Sequence, residues 1–165
     1  MHAEAHAIMA AELADIPEPR LGKWVLDVGS LDINGSYKPL VKALGMEYTG
    51  LDIMPGRNVD IVVQPYKFPM EDGKYDVVIS GSTLEHCAHP WELLPEMARV
   101  LKPGGLLVII THWNYPIHRH PVDCWRFLPD GIATLFDLTG TLTDYQIQIG
   151  SPYDIVSVAT KKVEA

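Results

Sequence analysis

Trp24-Val25-Leu26-Asp27-Val28-Gly29 decides the fold. It is a short apolar run that ends on an acid and a glycine, and the chain then turns into the polar loop Ser30–Gly35. Further along, Tyr48–Asp52 (YTGLD) also ends on a carboxylate, and Tyr75–Ser80 (YDVVIS) opens into Gly81-Ser82-Thr83-Leu84-Glu85-His86. Short apolar strands that each finish in acids or small residues define the carboxyl edge of a parallel sheet, where open α/β folds bind ligands. A ligand at such an edge is polyhydroxylated and not strongly anionic.

The other elements extend this pattern. Residues 2–15 read as an amphipathic helix with Ile8, Met9 and Leu13 on one side, closed by Pro17 and Pro19. Ser36–Leu44 carries a stripe of Leu40, Val41 and Leu44 and stops at Gly45, and Val59–Val63 (VDIVV) is a β-branched run suited to a buried parallel strand. Trp91, Leu94, Met97, Ala98 and Leu101 fall at helical spacing; Pro95 removes a backbone donor, so the regular helix is expected to start near Leu94 or to kink there. Lys102-Pro103-Gly104-Gly105 turns into the strand Leu106–Ile110, and Pro129 opens a helix that Gly140 closes. Strands at about 143–149 and 154–160 are joined by Gly150-Ser151-Pro152 without a crossover helix, which makes them antiparallel to each other. The whole predicts an α/β fold: a sheet of about seven strands, mainly parallel with an antiparallel C-terminal strand, and helices on both faces. Residues 1–165 form a single domain, with 1–16 an N-terminal helix and 112–128 a loop over the sheet edge. The N-terminal helix has few large apolar groups and gains little stability alone, so it is expected to fold over that edge as a lid in a monomer, with a homodimer contact as the alternative.

The formal net charge of −8, with no basic run longer than Lys161-Lys162, argues against nucleic acid as a partner. Cys87 and Cys124 lack CxxC spacing and read as reduced thiols of a cytoplasmic protein. No positively charged leader and no apolar window of membrane length stand in the sequence, so neither a signal peptide nor a membrane partner is expected.

A strand-end carboxylate is a two-site acceptor for a diol, which suits several nucleotide cofactors equally. The first loop separates them. A pyrophosphate site wants GxGxxG, whereas this loop reads GSLDING, carries Asp32 and has no basic residue before Lys38. That is poor for a diphosphate and acceptable for a cation.

From about Lys23 to about Gly140 the chain resembles the class I S-adenosylmethionine-dependent methyltransferases of the small, single-domain type. Their first strand ends in an acidic-x-Gly-x-Gly motif that wraps the methionine end of the cofactor; Asp27, Gly29 and Ser30 fall on it, while Leu31 stands at the second glycine and Gly35 follows later. The resemblance implies a Rossmann-like doubly wound sheet and S-adenosyl-L-methionine as cofactor. It assigns Asp52 to both ribose hydroxyls, Ile53 and Met54 to the flanks of the adenine, Gln64-Pro65-Tyr66 to its edge, and Ser80-Gly81 to the cofactor's amino-acid part. An Asp is commoner in the family at the adenine edge. Leu84-Glu85-His86 and Ala98–Gly105 (ARVLKPGG) also resemble the family, the latter most specifically, and it identifies the fold rather than the reaction. Beside these roles, Asp27 as a cap of backbone amides, Asp52 as a solvated acid and His86 as a partner of backbone remain open readings.

The segment Thr111–Arg126 (THWNYPIHRHPVDCWR) is the richest in reactive groups and follows a central strand, so it should overhang the reacting centre. His112, nearest the strand end, is the first candidate for a proton acceptor, followed by His118, His120 and Asp123. Trp113, Tyr115, Arg119 and Arg126 are candidates for the substrate wall; Trp125 and Phe127 read equally as anchors of the next helix. His118-x-His120-x-x-Asp123 offers two nitrogens and an oxygen but no fourth ligand at a recognised spacing, so no metal is assigned. The expected activity is methyl transfer from S-adenosylmethionine to an oxygen or nitrogen of a small-molecule acceptor, not a polyanion. The alternatives are a non-catalytic cofactor-binding domain and, behind it, an NAD(P)-dependent oxidoreductase.

Overall fold

The computed structural model describes residues 3–163, so the His2 that begins the expected helix lies outside the described residues. Among them, seven strands form one sheet in the order β3-β2-β1-β4-β5-β7-β6. The strands are β1 (Trp24–Val28), β2 (Glu47–Asp52), β3 (Ile61–Val62), β4 (Tyr75–Gly81), β5 (Leu101–His112), β6 (Leu142–Ile149) and β7 (Asp154–Lys161). The helices are α1 (Ala3–Ala14), α2 (Lys38–Ala43), α3 (Pro90–Val100) and α4 (Pro129–Thr139), with a single 3-10 turn at Leu84–His86. β3, β2, β1, β4 and β5 pair in parallel, and β7 runs antiparallel to both β5 and β6. The chain reaches the edge through α4 and β6, then doubles back, so that β7 fills the place between β6 and β5.

Side chains alternate across β4 and β5 and feed two cores. Val78, Leu107 and Ile109 pack with Leu94 and Met97 of α3 and Ile132 and Phe136 of α4. Val77, Ile79, Val108 and Ile110 pack on the opposite face with Met9 and Leu13 of α1 and Val41 of α2. Strands buried on both faces read as continuous apolar runs, which is what YDVVIS and LLVII are.

Four sequence expectations change. The VDIVV run shortens to the two residues of β3, with Val62 exposed, because it lies at the sheet edge with β2 as its one neighbour. The third helix starts at Pro90, where a missing N–H costs nothing, and continues through Pro95; burial of Leu93, Leu94, Met97, Ala98 and Val100 offsets the lost bond. Lys102–Gly105 is a bulge within β5 rather than a turn before it: Tyr75 pairs with Leu101 and Val77 with Leu106, with Gly104 at φ 75°. Finally, α1 is no lid. Ala5, Met9 and Leu13 are fully buried against a face of the sheet, and none of its residues borders the strand-end cavity. The apolar face of Val25, Val77, Ile79, Val108 and Ile110 needs a cover, and α1 supplies it. No helix among the described residues is long and apolar enough to cross a membrane.

Candidate functional site

A cavity of about 720 Å³ opens at the carboxyl ends of β1, β2 and β4, and the loop after β5 closes its far side. At the β1 end, Asp27 is 3% exposed and accepts a hydrogen bond from the Tyr48 hydroxyl at 2.8 Å. Burial pushes its carboxyl up from 3.8 to about 7, against the pull of Tyr48 and with a smaller push from Asp52. Gly29 follows at φ 81°, and a Cβ there would stand 2.0 Å from Thr83 Oγ1, so both the conformation and the approach require glycine.

Asp52 ends β2 at the cavity wall. Its Oδ2 accepts from Leu31 N at 3.1 Å and its Oδ1 from Met54 N at 3.0 Å, which fixes the carboxylate's orientation and leaves acceptor capacity on each oxygen. Ser30, Ile53, Met54, Pro65, Tyr66 and Gly81 border the same cavity. Gln64 and Ser80 do not: Gln64 forms a bridge with Lys67, and the Ser80 hydroxyl donates to Val28 O at 2.8 Å inside the sheet. The buried hydroxyls of Tyr37 and Ser82, also on the wall, have no hydrogen-bond partner, so a polar ligand has groups to meet there.

The far end is built from histidines. His112, 2% exposed, ends β5, and antiparallel pairing sets it directly opposite Asp154 of β7. Its Nδ1 lies 3.0 Å from Asp154 Oδ1 and its Nε2 3.2 Å from Oε1 of Glu85, a fully buried residue of the 3-10 turn. Tyr115 stacks on the His112 ring at 4.4 Å. The His118 and His86 Nε2 atoms stand 4.0 and 3.9 Å from the same Glu85 oxygen. Burial and the neighbouring His86 and His112 rings hold His118 below the usual histidine range, against the pull of Pro116 O and Asp123. His86, Tyr115, His118, Arg119 and His120 border the cavity beside His112.

Asp123 and Arg126 are drawn away from the wall into a bidentate pair, with contacts of 2.6 and 2.7 Å. The Arg126 guanidinium holds the Asp123 carboxyl well below the usual range, and Asp123 also accepts from His118 N at 2.7 Å. The pair thus braces the loop. Trp113 packs on the core and donates to Ser151 O; Trp125 donates to Cys87 O at 2.7 Å, and Phe127 is buried. Sequence reasoning gave no role to Tyr37, Ser82 or Asp154, and quoted Glu85 without one. No local spacing links Asp154 to His112; the pairing of β7 with β5 brings them together.

The methyltransferase domain family model matches residues 26–109, about half of the chain. An uncharacterized methyltransferase of Mycobacterium bovis (strain BCG) is 32% identical over 129 residues, covering 70% of this chain and 50% of the relative. Another, of Mycobacterium sp. (strain JLS), is 34% identical over 120 residues, covering 65% and 46%. The chain spans about half the length of these curated relatives. Among solved structures, a SAM-dependent methyltransferase from Aquifex aeolicus superposes with a TM-score of 0.72 at 18% identity, over 92% of this chain and 89% of that one. The 1,6-didemethyltoxoflavin-N1-methyltransferase of Burkholderia thailandensis, solved with bound 1,6-didemethyltoxoflavin and S-adenosylhomocysteine, gives 0.71 at 18% identity, over 98% and 78%. The chain belongs to the methyltransferase domain family, and its fold is that of the two solved methyltransferases.

Proposed function

We propose that this protein transfers a methyl group from S-adenosylmethionine to an oxygen or nitrogen of a small-molecule acceptor. The observation that carries the reading is one cavity with a diol-accepting carboxylate at one end and a histidine cluster at the other. S-adenosylmethionine supplies the electrophilic methyl. Asp52, its oxygens fixed by two backbone amides, accepts from the ribose hydroxyls; Ile53, Met54, Pro65 and Tyr66 supply apolar surface for the adenine. Asp27 and the partnerless Tyr37 and Ser82 hydroxyls meet the cofactor's polar, cationic end. Tyr115, Arg119 and His120 border the space left for the acceptor, and the His112 cluster takes up the acceptor's proton. Holding the nucleophile in line with the methyl is the larger part of the task.

Calorimetry with S-adenosylhomocysteine tests the cofactor end. Losing a charge-assisted bond costs on the order of 2–3 kcal/mol, so Asp52→Ala should weaken binding by tens-fold or more. His112→Ala should instead lower turnover far more than cofactor affinity. Unchanged affinity in Asp52→Ala would overturn the ribose assignment, and unchanged turnover in His112→Ala would overturn the acceptor end.

A further inference from the structure

Glu85 is fully buried beside the cavity, and one of its oxygens is unexplained by the fold. Oε2 accepts from the Thr111 hydroxyl at 2.7 Å. Oε1 is buried and accepts no hydrogen bond of sound geometry, although three imidazole nitrogens stand 3.2 to 4.0 Å from it. A buried carboxylate oxygen left in that state costs free energy unless something positive meets it.

The rings around it are turned the same way. Val122 O lies 2.6 Å from His86 Nδ1 and Pro116 O lies 3.1 Å from His118 Nδ1. A carbonyl can only accept, so each Nδ1 carries a proton, and in the neutral ring each Nε2 turns its lone pair toward Glu85. The Asp154 carboxylate orients His112 in the same sense, and Asp154 is itself held by the Ser151 hydroxyl at 2.7 Å. A carboxylate or carbonyl behind each imidazole fixes the tautomer and raises the basicity of the other nitrogen, which is the outer shell of a metal site. Neutral rings held this way aim nitrogen atoms at a buried carboxylate oxygen, an arrangement that a cation between them stabilises.

We propose that Glu85 Oε1, His112 Nε2 and His118 Nε2 bind one divalent first-row transition-metal ion at the histidine end of the cavity. One ligand atom from each of the three residues lies within 4.8 Å of the others, drawn from the turn after β4, the end of β5 and the loop beyond it. Bond lengths of about 2.0–2.2 Å to such an ion place its ligands roughly 3–4 Å apart, so a small inward shift of His118 closes the set. Two imidazoles and one carboxylate suit zinc, iron, cobalt or manganese, and disfavour magnesium and calcium, which take oxygen ligands. This trio differs from the His118, His120, Asp123 spacing visible in the sequence, because Asp123 is committed to Arg126. His112 and His118 border the cavity, so the ion's remaining positions face the space assigned to the acceptor, where they can hold its reacting oxygen or nitrogen; with His112 Nε2 on the ion, the acceptor's proton goes to His120, which borders the same space. That last point rests on the methyl-transfer reading; the binding of the ion does not.

The test is titration of chelator-stripped full-length protein with Co²⁺ and with Zn²⁺ alone, read by calorimetry and by the visible d–d bands of cobalt. Wild type should take up one equivalent, with intense bands for a low-coordinate N/O site. His118→Ala, at a partly exposed position, should bind at least ten-fold more weakly and lose the bands; Glu85→Gln should do the same where it folds, as circular dichroism will report. His89→Ala removes an exposed histidine that pairs with Glu92 outside the cavity, and should bind like wild type. Wild type binding no tighter than His118→Ala, or equal loss in His89→Ala, would overturn the site. S-adenosylhomocysteine binding measured on the same samples keeps the two readings apart. Cofactor binding without metal binding sinks the metal site alone; metal binding without cofactor binding sinks the methyl-donor reading alone.

Discussion

Asp27 shows how a single buried residue couples the sheet to its ligand. Its folded-state pKa of about 7 lies above the ordinary 3.8, so the folded protein favours the protonated acid. The resulting stability is fully present below about pH 4 and is lost as pH rises toward 7, where the buried carboxyl must ionise. Asp27→Asn keeps the shape without the charge, so in denaturant unfolding it should gain on wild type between pH 4 and pH 7. A cationic ligand in the cavity favours the ionised form. Wild-type affinity for S-adenosylmethionine should therefore rise from pH 6 to pH 8 with proton release, and the rise should flatten in Asp27→Asn. Parallel pH profiles for the two proteins would remove Asp27 from the cofactor's surroundings.

Among the elements, α1 gives the clearest case of packing deciding a role. Its Ala5, Met9 and Leu13 repeat every four residues and are buried on the sheet, far enough from the strand ends that none borders the cavity. Leu13→Ala should cost about 2–5 kcal/mol through the lost contacts and the cavity left behind, and should lower the melting temperature accordingly. Cofactor affinity measured by calorimetry well below that temperature should be unchanged. Weakened affinity with an unchanged melting temperature would restore the lid. The loop after β5 has a comparable division of labour: Asp123 and Arg126 hold it, while His118, Arg119 and His120 face the cavity.

For the whole molecule, ligand class is readable as a shift in stability. A ligand that binds only the folded chain adds about 2.7 kcal/mol at a hundred times its dissociation constant. For a chain of this size that is a rise of roughly 5–10 °C in melting temperature. S-adenosylhomocysteine should produce it, and NAD at equal concentration should not, since the loop after β1 lacks the glycine spacing that cradles a pyrophosphate and places Asp32 there. A larger shift with NAD would reverse the choice of cofactor.

The sheet was legible in the sequence because its signals are local. An apolar run ending in Asp27-Val28-Gly29, another in Asp52 and a third before Gly81 each report a buried parallel strand and its ligand-facing end, whatever the rest of the chain does. The crossover-free Gly150-Ser151-Pro152 link announced the antiparallel strand for the same reason. What tertiary structure alone decided is the company each side chain keeps. VDIVV became an edge because the sheet ends there, α1 became a cover because a bare apolar face lay beside it, and Asp123 became a brace because Arg126 reached it first. The histidine cluster depends on contacts across 26 and 42 residues of chain, Thr111 to Glu85 and His112 to Asp154, which no sequence spacing encodes. Periodicity is written along the chain, whereas the meeting of Glu85, His112, His118 and Asp154 exists only once β4, β5 and β7 lie side by side.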